Sequence, residues 1–470
     1  MLVLVGCASA PAPRAQAPVL AIPATWAAAV PSKTPTLGQQ PADLSDWWQR
    51  FNDPTLTGLI AQTLRANTSL QSAQAALRQA RAQADAQAAG LGPSLGASAS
   101  AQRSQAGNAS GGNRFQAGFD ASWEPDLFGR NRSAADASAA DALASAASLG
   151  NVQVSLAAEV AANYINLRAL QTRLVIARDN LTTQQETLQL TRWRAQAGLV
   201  SSLNLEQAVS ATAQTEAQLP ALQTGVTQAL NALAVLSGQA PGALAATLSA
   251  SAPIPTAPAD LAIAFPAETL RQRPDVRAAE RRVDAALARL SAAEAARYPN
   301  FRLGGSLGLS AITLGSLTNG ASVLRSLLAS ASAPLFDGGA LQAQTRAQQA
   351  SVEQARAIYQ GTVLAALQEV EDALAALRGD TERLERLQTA STAAANADLL
   401  ARQRYQSGLI DFDTVLSTQR SLLTTQDGVA STRASLSSNH VRLYKALGGG
   451  WPAATDTRLS GATQNAPVTR

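Results

Sequence analysis

The two residue types that carry most enzyme and metal chemistry occur once each in this chain, as Cys7 and His440. A lone thiol cannot close a disulfide within the chain, and one thiol with one imidazole cannot complete a zinc site of Cys/His type. No His-based triad finds a suitable base, and His440 reads as a partly buried structural residue on a helix. Pairs of carboxylates could do acid/base work, yet none stands in a recognisable catalytic setting. The chain therefore reads as a non-enzyme, with no catalytic residue, no metal and no cofactor expected.

Cys7 does have a chemical context. Leu4-Val5-Gly6-Cys7 has the form of a bacterial lipoprotein box, with a small residue beside the cleavage point. The freed cysteine would carry a diacylglycerol on its thiol and a third acyl chain on its amine, more than the two signals that stable anchoring needs. Residues 1–6 then read as the residue of a signal peptide, with either the true start upstream or the sequence trimmed. Ala8 and Ser9 follow the cysteine, so no aspartate signals retention in the inner membrane. The other reading of Cys7 is an incidental thiol in an apolar start.

The elements around these residues follow from composition and period. The 470 residues are 46% hydrophobic, 15% charged and 4% aromatic, against about 25% charged in ordinary soluble domains. Alanine, glutamine, serine and leucine dominate, which favours long helices. Lys+Arg exceed Asp+Glu by only 37 to 33, too slight an excess for a nucleic-acid binder. No run of 18 apolar residues occurs, so no helical membrane span is expected; a β-barrel stays open.

The chain repeats itself. At an offset of 210, Glu159, Val160, Leu167, Arg168 and Leu174 recur as Glu369, Val370, Leu377, Arg378 and Leu384, and Arg192, Arg194, Gly198 and Leu199 as Arg402, Arg404, Gly408 and Leu409. At 206, Thr63, Leu64, Arg65 and Pro93 recur as Thr269, Leu270, Arg271 and Pro299; at 208, Leu127 and Phe128 recur as Leu335 and Phe336. The pattern reads as a lipidated segment over 7–55, one repeat over 56–240, a Pro/Ala linker over 241–260, a second repeat over 261–448 and a tail over 449–470. Each repeat should run helix, hairpin, long helix, turn, helix.

In the first repeat an uninterrupted helix is expected from Leu59 to Ala89, because no Gly or Pro breaks it. Period two then takes over. Phe115, Ala117, Phe119, Ala121 and Trp123 alternate with Gln116, Gly118, Asp120, Ser122 and Glu124, which predicts strands at about 94–103 and 114–124. Phe301, Leu303, Leu307 and Leu309 do the same in the second repeat and predict strands at about 300–310 and 323–335, the last with the weakest alternation. Stretches of roughly 65 residues from Ser133 to Ala197 and Ala340 to Ser407 would make helices about 100 Å long. Leu167, Leu174, Leu181 and Leu188 recur every seven residues, the mark of coiled-coil packing. Gly198 and Gly408 end these helices as C′ glycines do, and Pro220 should kink the first returning helix.

Apolar-out, polar-in strands of about 10 residues have the length and pattern of outer-membrane strands. A soluble sandwich or solvated hairpin would share the pattern. Four strands cannot close a barrel, and an open edge in lipid strands backbone groups at several kcal/mol each. The chain must then share its barrel, and three copies with 12 strands leave a water-filled lumen where two with 8 do not.

The lipoprotein box, Trp47 to Leu59 (WWQRFNDPTLTGL), the duplicated plan, Pro334 to Gly339 (PLFDGG) and Arg404 to Leu409 (RYQSGL) together resemble the TolC-like outer-membrane efflux proteins, in the lipid-anchored NodT/OprM branch that serves resistance–nodulation–division pumps. The resemblance implies an α+β membrane protein: a homotrimer with a 12-stranded β-barrel in the outer membrane, continued by a long α-barrel through the periplasm. It implies a passive efflux duct that meets a periplasmic adaptor and an inner-membrane pump. It places adaptor docking and the closed end at Gly198, Leu199, Gly408 and Leu409, and matches Tyr405 to a tyrosine that ties the closed state. The same residues have plainer readings: the glycines cap helices, and the tyrosine covers a groove. Family channels carry aspartates just past the second tip, where this chain has Thr414 and Ser417; Asp411 and Asp413 are the substitute gate candidates, unless they are merely solvated. The same duct could serve type I protein secretion. A periplasm-spanning structural coiled-coil lipoprotein is the alternative of a different class.

Overall fold

The computed structural model describes residues 23–27, 44–105, 107, 111–258 and 266–451. Cys7 and the residues 1–6 expected to be a signal-peptide remnant, part of the expected linker and nearly all of the expected tail lie outside the described residues. The chain clusters into two compact units, one built from 73–148 and 275–362, the other from the described parts of Ile22–Ser72, Leu149–Pro274 and Val363–Arg470.

In chain order the helices are α1 (Pro54–Ala66), α2 (Thr68–Ala89), α3 (Arg130–Gln196), α4 (Ser202–Leu236), α5 (Ala245–Leu248), α6 (Pro266–Gln272), α7 (Pro274–Ala295), α8 (Ala340–Gln406) and α9 (Phe412–Ala446). The strands are β1 (Ser94–Ser104), β2 (Gly112–Trp123), β3 (Asn300–Ala311) and β4 (Val323–Ser332). The single helix expected over 59–89 is corrected: it is two helices broken at Asn67. The Asn67 backbone is extended, with ψ 131°, and its Oδ1 accepts from the Ser69 and Leu70 amides at 2.8 and 3.2 Å. Its Nδ2 donates to the Leu236 carbonyl at 2.9 Å. One side chain thus caps a new helix and ties it to α4, so the break needs neither Gly nor Pro. Pro220 falls inside α4 without ending it.

The first unit holds a four-stranded antiparallel sheet in the order β1-β2-β3-β4, so β2–β3 pairing joins the two hairpins. Registers such as Ala97↔Phe119, Phe119↔Leu307 and Leu307↔Arg325 collect Leu95, Phe115, Phe119, Trp123, Leu303, Leu307 and Leu327 on one face. Serines, glutamines and Asp120 lie on the other, where Gly118 and Gly308 pass so close that a Cβ on Gly118 would sit 2.8 Å from the Gly308 Cα. β4 departs from strict alternation. Its register puts Arg325 on the apolar face and Leu324 and Leu328 on the polar one, and the strand closes at Ser332, short of the 335 expected. Phe119, Leu307 and Leu327 are all exposed, and within one chain β1 and β4 each keep an unpaired edge.

The second unit has a conventional core. Trp47 is buried against Tyr444, ring centroids 5.3 Å apart and stacked, with Phe51, Leu56, Ile60, Tyr164, Ile165 and Leu233 around them. Asp53 caps α1 through the Thr55 and Leu56 amides and also accepts from the Tyr164 hydroxyl at 2.9 Å. Burial is the main reason the Tyr164 phenol sits above its ordinary pKa.

Candidate functional site

In the second unit, the turns α3–α4 and α8–α9 are built alike. Gly198 and Gly408 have φ of +73° and +74°, a conformation that costs any residue with a Cβ. Around each, the next amide reaches five residues back: Leu199 to the Arg194 carbonyl at 2.8 Å and Leu409 to Arg404 at 2.9 Å. The glycine amides bond to Ala195 and Tyr405. Two such bonds define a Schellman cap, and the residues after the glycines, Leu199 and Leu409, are each 74% exposed. Two leucines are therefore presented to solvent on rigid turns.

Tyr405 lies inside rather than at the surface. It is 3% exposed, in a cluster with Leu188, Ala208, Ala401, Phe412 and Val415. Its hydroxyl is 3.3 Å from Thr191 Oγ1. The Arg194 guanidinium lies 4.5 Å from its ring centroid and donates to the Gln406 carbonyl at 2.8 Å. Arg194 thus ties the first turn to the second, a role that the duplicated Arg-x-Arg spacing before each glycine hints at without assigning. Trp193 and Leu203 add exposed apolar surface at the first turn, whereas the same offset places Gln403 and Asp413 at the second.

Asp411 is the N-cap of α9, yet its side chain makes no capping bond; Ser201, its counterpart before α4, does bond to the Asn204 amide. The Asp411 carboxylate is left free of the helix end. Asp413, Thr414 and Ser417 are exposed beside it. Ten residues before the second glycine, Asp398 is 1% exposed and ion-paired to Arg402 at 2.9 Å, and burial raises its pKa despite that partner. His440 belongs to the Trp47 end of α9, apart from the turns, and donates from Nδ1 to the Leu436 carbonyl at 2.9 Å. Among the described residues no group of three or more His, Cys, Asp or Glu could hold a metal, and no helix is long and apolar enough to cross a membrane.

Comparison with known proteins gives one answer. A family model described as outer membrane efflux protein matches residues 59–239 and again 265–449. A pyoverdine export outer membrane protein of Pseudomonas putida, OpmQ, is 34% identical over 455 residues, covering 93% of this chain and 94% of that protein. The solved outer-membrane channel OprN superposes with a TM-score of 0.85 at 36% identity, over 92% of this chain and 99% of its own. The open state of the Neisseria gonorrhoeae MtrE outer membrane channel gives 0.84 at 28% identity, over 93% and 98%.

Proposed function

The chain belongs to the outer membrane efflux protein family, and from that premise we propose that it works as a passive homotrimeric export duct, not an enzyme, docked to a periplasmic adaptor and an inner-membrane pump of the resistance–nodulation–division type. It is an outer-membrane channel of the efflux class. The observation that carries the trimer is the sheet: four strands with an exposed apolar face and two open edges. Open edges in lipid leave N–H and C=O groups unpaired, so β4 of one copy must pair with β1 of the next until the ring closes. Three copies make 12 strands, enough for a wet lumen. Leu199 and Leu409 are the surfaces offered to the adaptor, each held out on a capped turn. Cys7 would anchor the same assembly by its acyl chains.

Crosslinking the detergent-extracted protein and recording single channels in planar bilayers test the reading together. A trimer with stable conductance is expected. A monomer that does not conduct would overturn it.

A further inference from the structure

Two arginines lie on the apolar face of the sheet, both near its hairpin end. Arg103 is the last but one residue of β1, and Arg325 is the third residue of β4. Both are exposed, and among the described residues neither has a hydrogen bond or ion pair. No carboxylate is at hand: the sequence contains no Asp or Glu from Ser94 to Phe119 or from Asn300 to Phe336. The one acid within the strands, Asp120, is on the opposite face and accepts from Ser98 Oγ at 2.9 Å.

The repeat says what these arginines face. Within the chain, Ala117 of β2 pairs with Leu309 of β3. The seam between copies, β4 against β1 of its neighbour, is the counterpart of that β2–β3 pairing. Carried across by the repeat offsets of 208 and 206, Ala117 becomes Arg325 and Leu309 becomes Arg103. With the offset of 210 that holds in the following helices, the two become diagonal neighbours on the same face. Either way each seam sets two guanidiniums side by side.

Like charges so placed on a sheet destabilise it, unless an anion lies between them. A phosphate would turn the repulsion into two charge-assisted, bidentate contacts. The depth is right for one. Arg is costly at the middle of a lipid face but well tolerated at the interface, and both arginines stand at the hairpin end where the headgroups of the outer leaflet lie. We propose that Arg103 and Arg325 of adjoining copies form a binding site for the phosphate groups of outer-leaflet lipid A, one at each subunit seam. The site rests on the trimeric outer-membrane reading given above.

The test uses delipidated full-length trimer in neutral detergent, with the midpoint of thermal trimer dissociation as readout. The probes are bis-phosphorylated lipid A and inorganic phosphate, added to the wild type and to Arg103→Gln, Arg325→Gln and Arg114→Gln, the last an arginine on the opposite face. Lipid A should raise the wild-type midpoint, and the first two variants should need about tenfold more lipid for the same rise, the loss of one charged hydrogen-bonding group. Without lipid, those two should dissociate no earlier than the wild type, because the repulsion is gone. Arg114→Gln should respond as the wild type does. Equal lipid responses in all variants would overturn the site, as would a matching rise from inorganic phosphate alone, which would mark a general anion site. If the wild type gives no trimer and no channels, the duct reading itself fails, a result distinct from a conducting trimer that ignores lipid A.

Discussion

At the scale of single residues, the capping asymmetry between Ser201 and Asp411 has a consequence for ions. The Asp411 carboxylate is not used by the helix end, and Asp413 is exposed two residues on. In a trimer these would place six carboxylates around one axis, where mutual repulsion favours bound or screening cations. Replacing both with Ala should lower cation preference and magnesium block in planar bilayers while trimer yield stays unchanged, since exposed aspartates contribute little to stability. His440 predicts a pH effect. Burial, with Arg50 adding to it, lowers its pKa although it donates to the Leu436 carbonyl. The unfolded imidazole takes up its proton near pH 6.5, while the folded one resists until lower pH. Stability is therefore complete above the ordinary value and falls as the pH drops through it toward the folded value. Thermal unfolding followed by circular dichroism should show this slope between about pH 7 and pH 5, and His440→Gln should flatten it.

At the scale of elements, helix ends do the specifying. Asn67→Ala removes a cap and leaves the Leu236 carbonyl without its donor, a loss of about 1–2 kcal/mol. Asn67→Asp keeps the acceptor and loses the donor, so thermal unfolding should place it between the wild type and Ala. The turn glycines make a second case. Nothing lies within 4 Å of a Cβ built on Gly198 or Gly408, so the cost of Ala there is backbone strain alone, roughly 1–2 kcal/mol at positive φ. Hydrogen exchange at the Leu199 and Leu409 amides should speed up accordingly, with no change at the sheet. Between α3 and α9, the pairs Arg173–Asp427, Asn180–Gln426 and Thr187–Gln419 have their α3 members at heptad spacing. Each stands beside a heptad leucine, so the polar seam sets register while the leucines supply burial.

At the scale of the whole molecule, the two faces of the sheet meet different solvents once the ring closes. Leu327 is 89% exposed on the apolar face, and its neighbour Ser326 lies on the polar face, within hydrogen-bond reach of Ser306. Leu327→Arg should impair insertion into vesicles, because it lies deeper in the lipid face than Arg325 and the cost of an arginine there rises with depth. Ser326→Arg should insert normally and change conductance. Comparing vesicle-bound protein with single-channel current for the two variants checks which face meets lipid.

The sequence alone determined whatever depends on local pattern. Phe115, Phe119 and Trp123 at period two demand a half-buried strand, and leucines every seven residues demand a helix packed on helices. Gly198 and Gly408 mark turns because only glycine adopts positive φ without strain. Even the need for further copies followed from counting strands. Tertiary structure decided what depends on which neighbour arrives. Asn67 breaks a helix because the Leu236 carbonyl and two amides offer its side chain partners, something propensity cannot see. Tyr405 is buried because Arg194 and Phe412 close over it from other elements. Arg325 faces the apolar side because the β3–β4 register carries it there. A periodic pattern fixes which face of an element is to be buried, whereas the group that buries it comes from tens or hundreds of residues away, chosen by the packing of the whole.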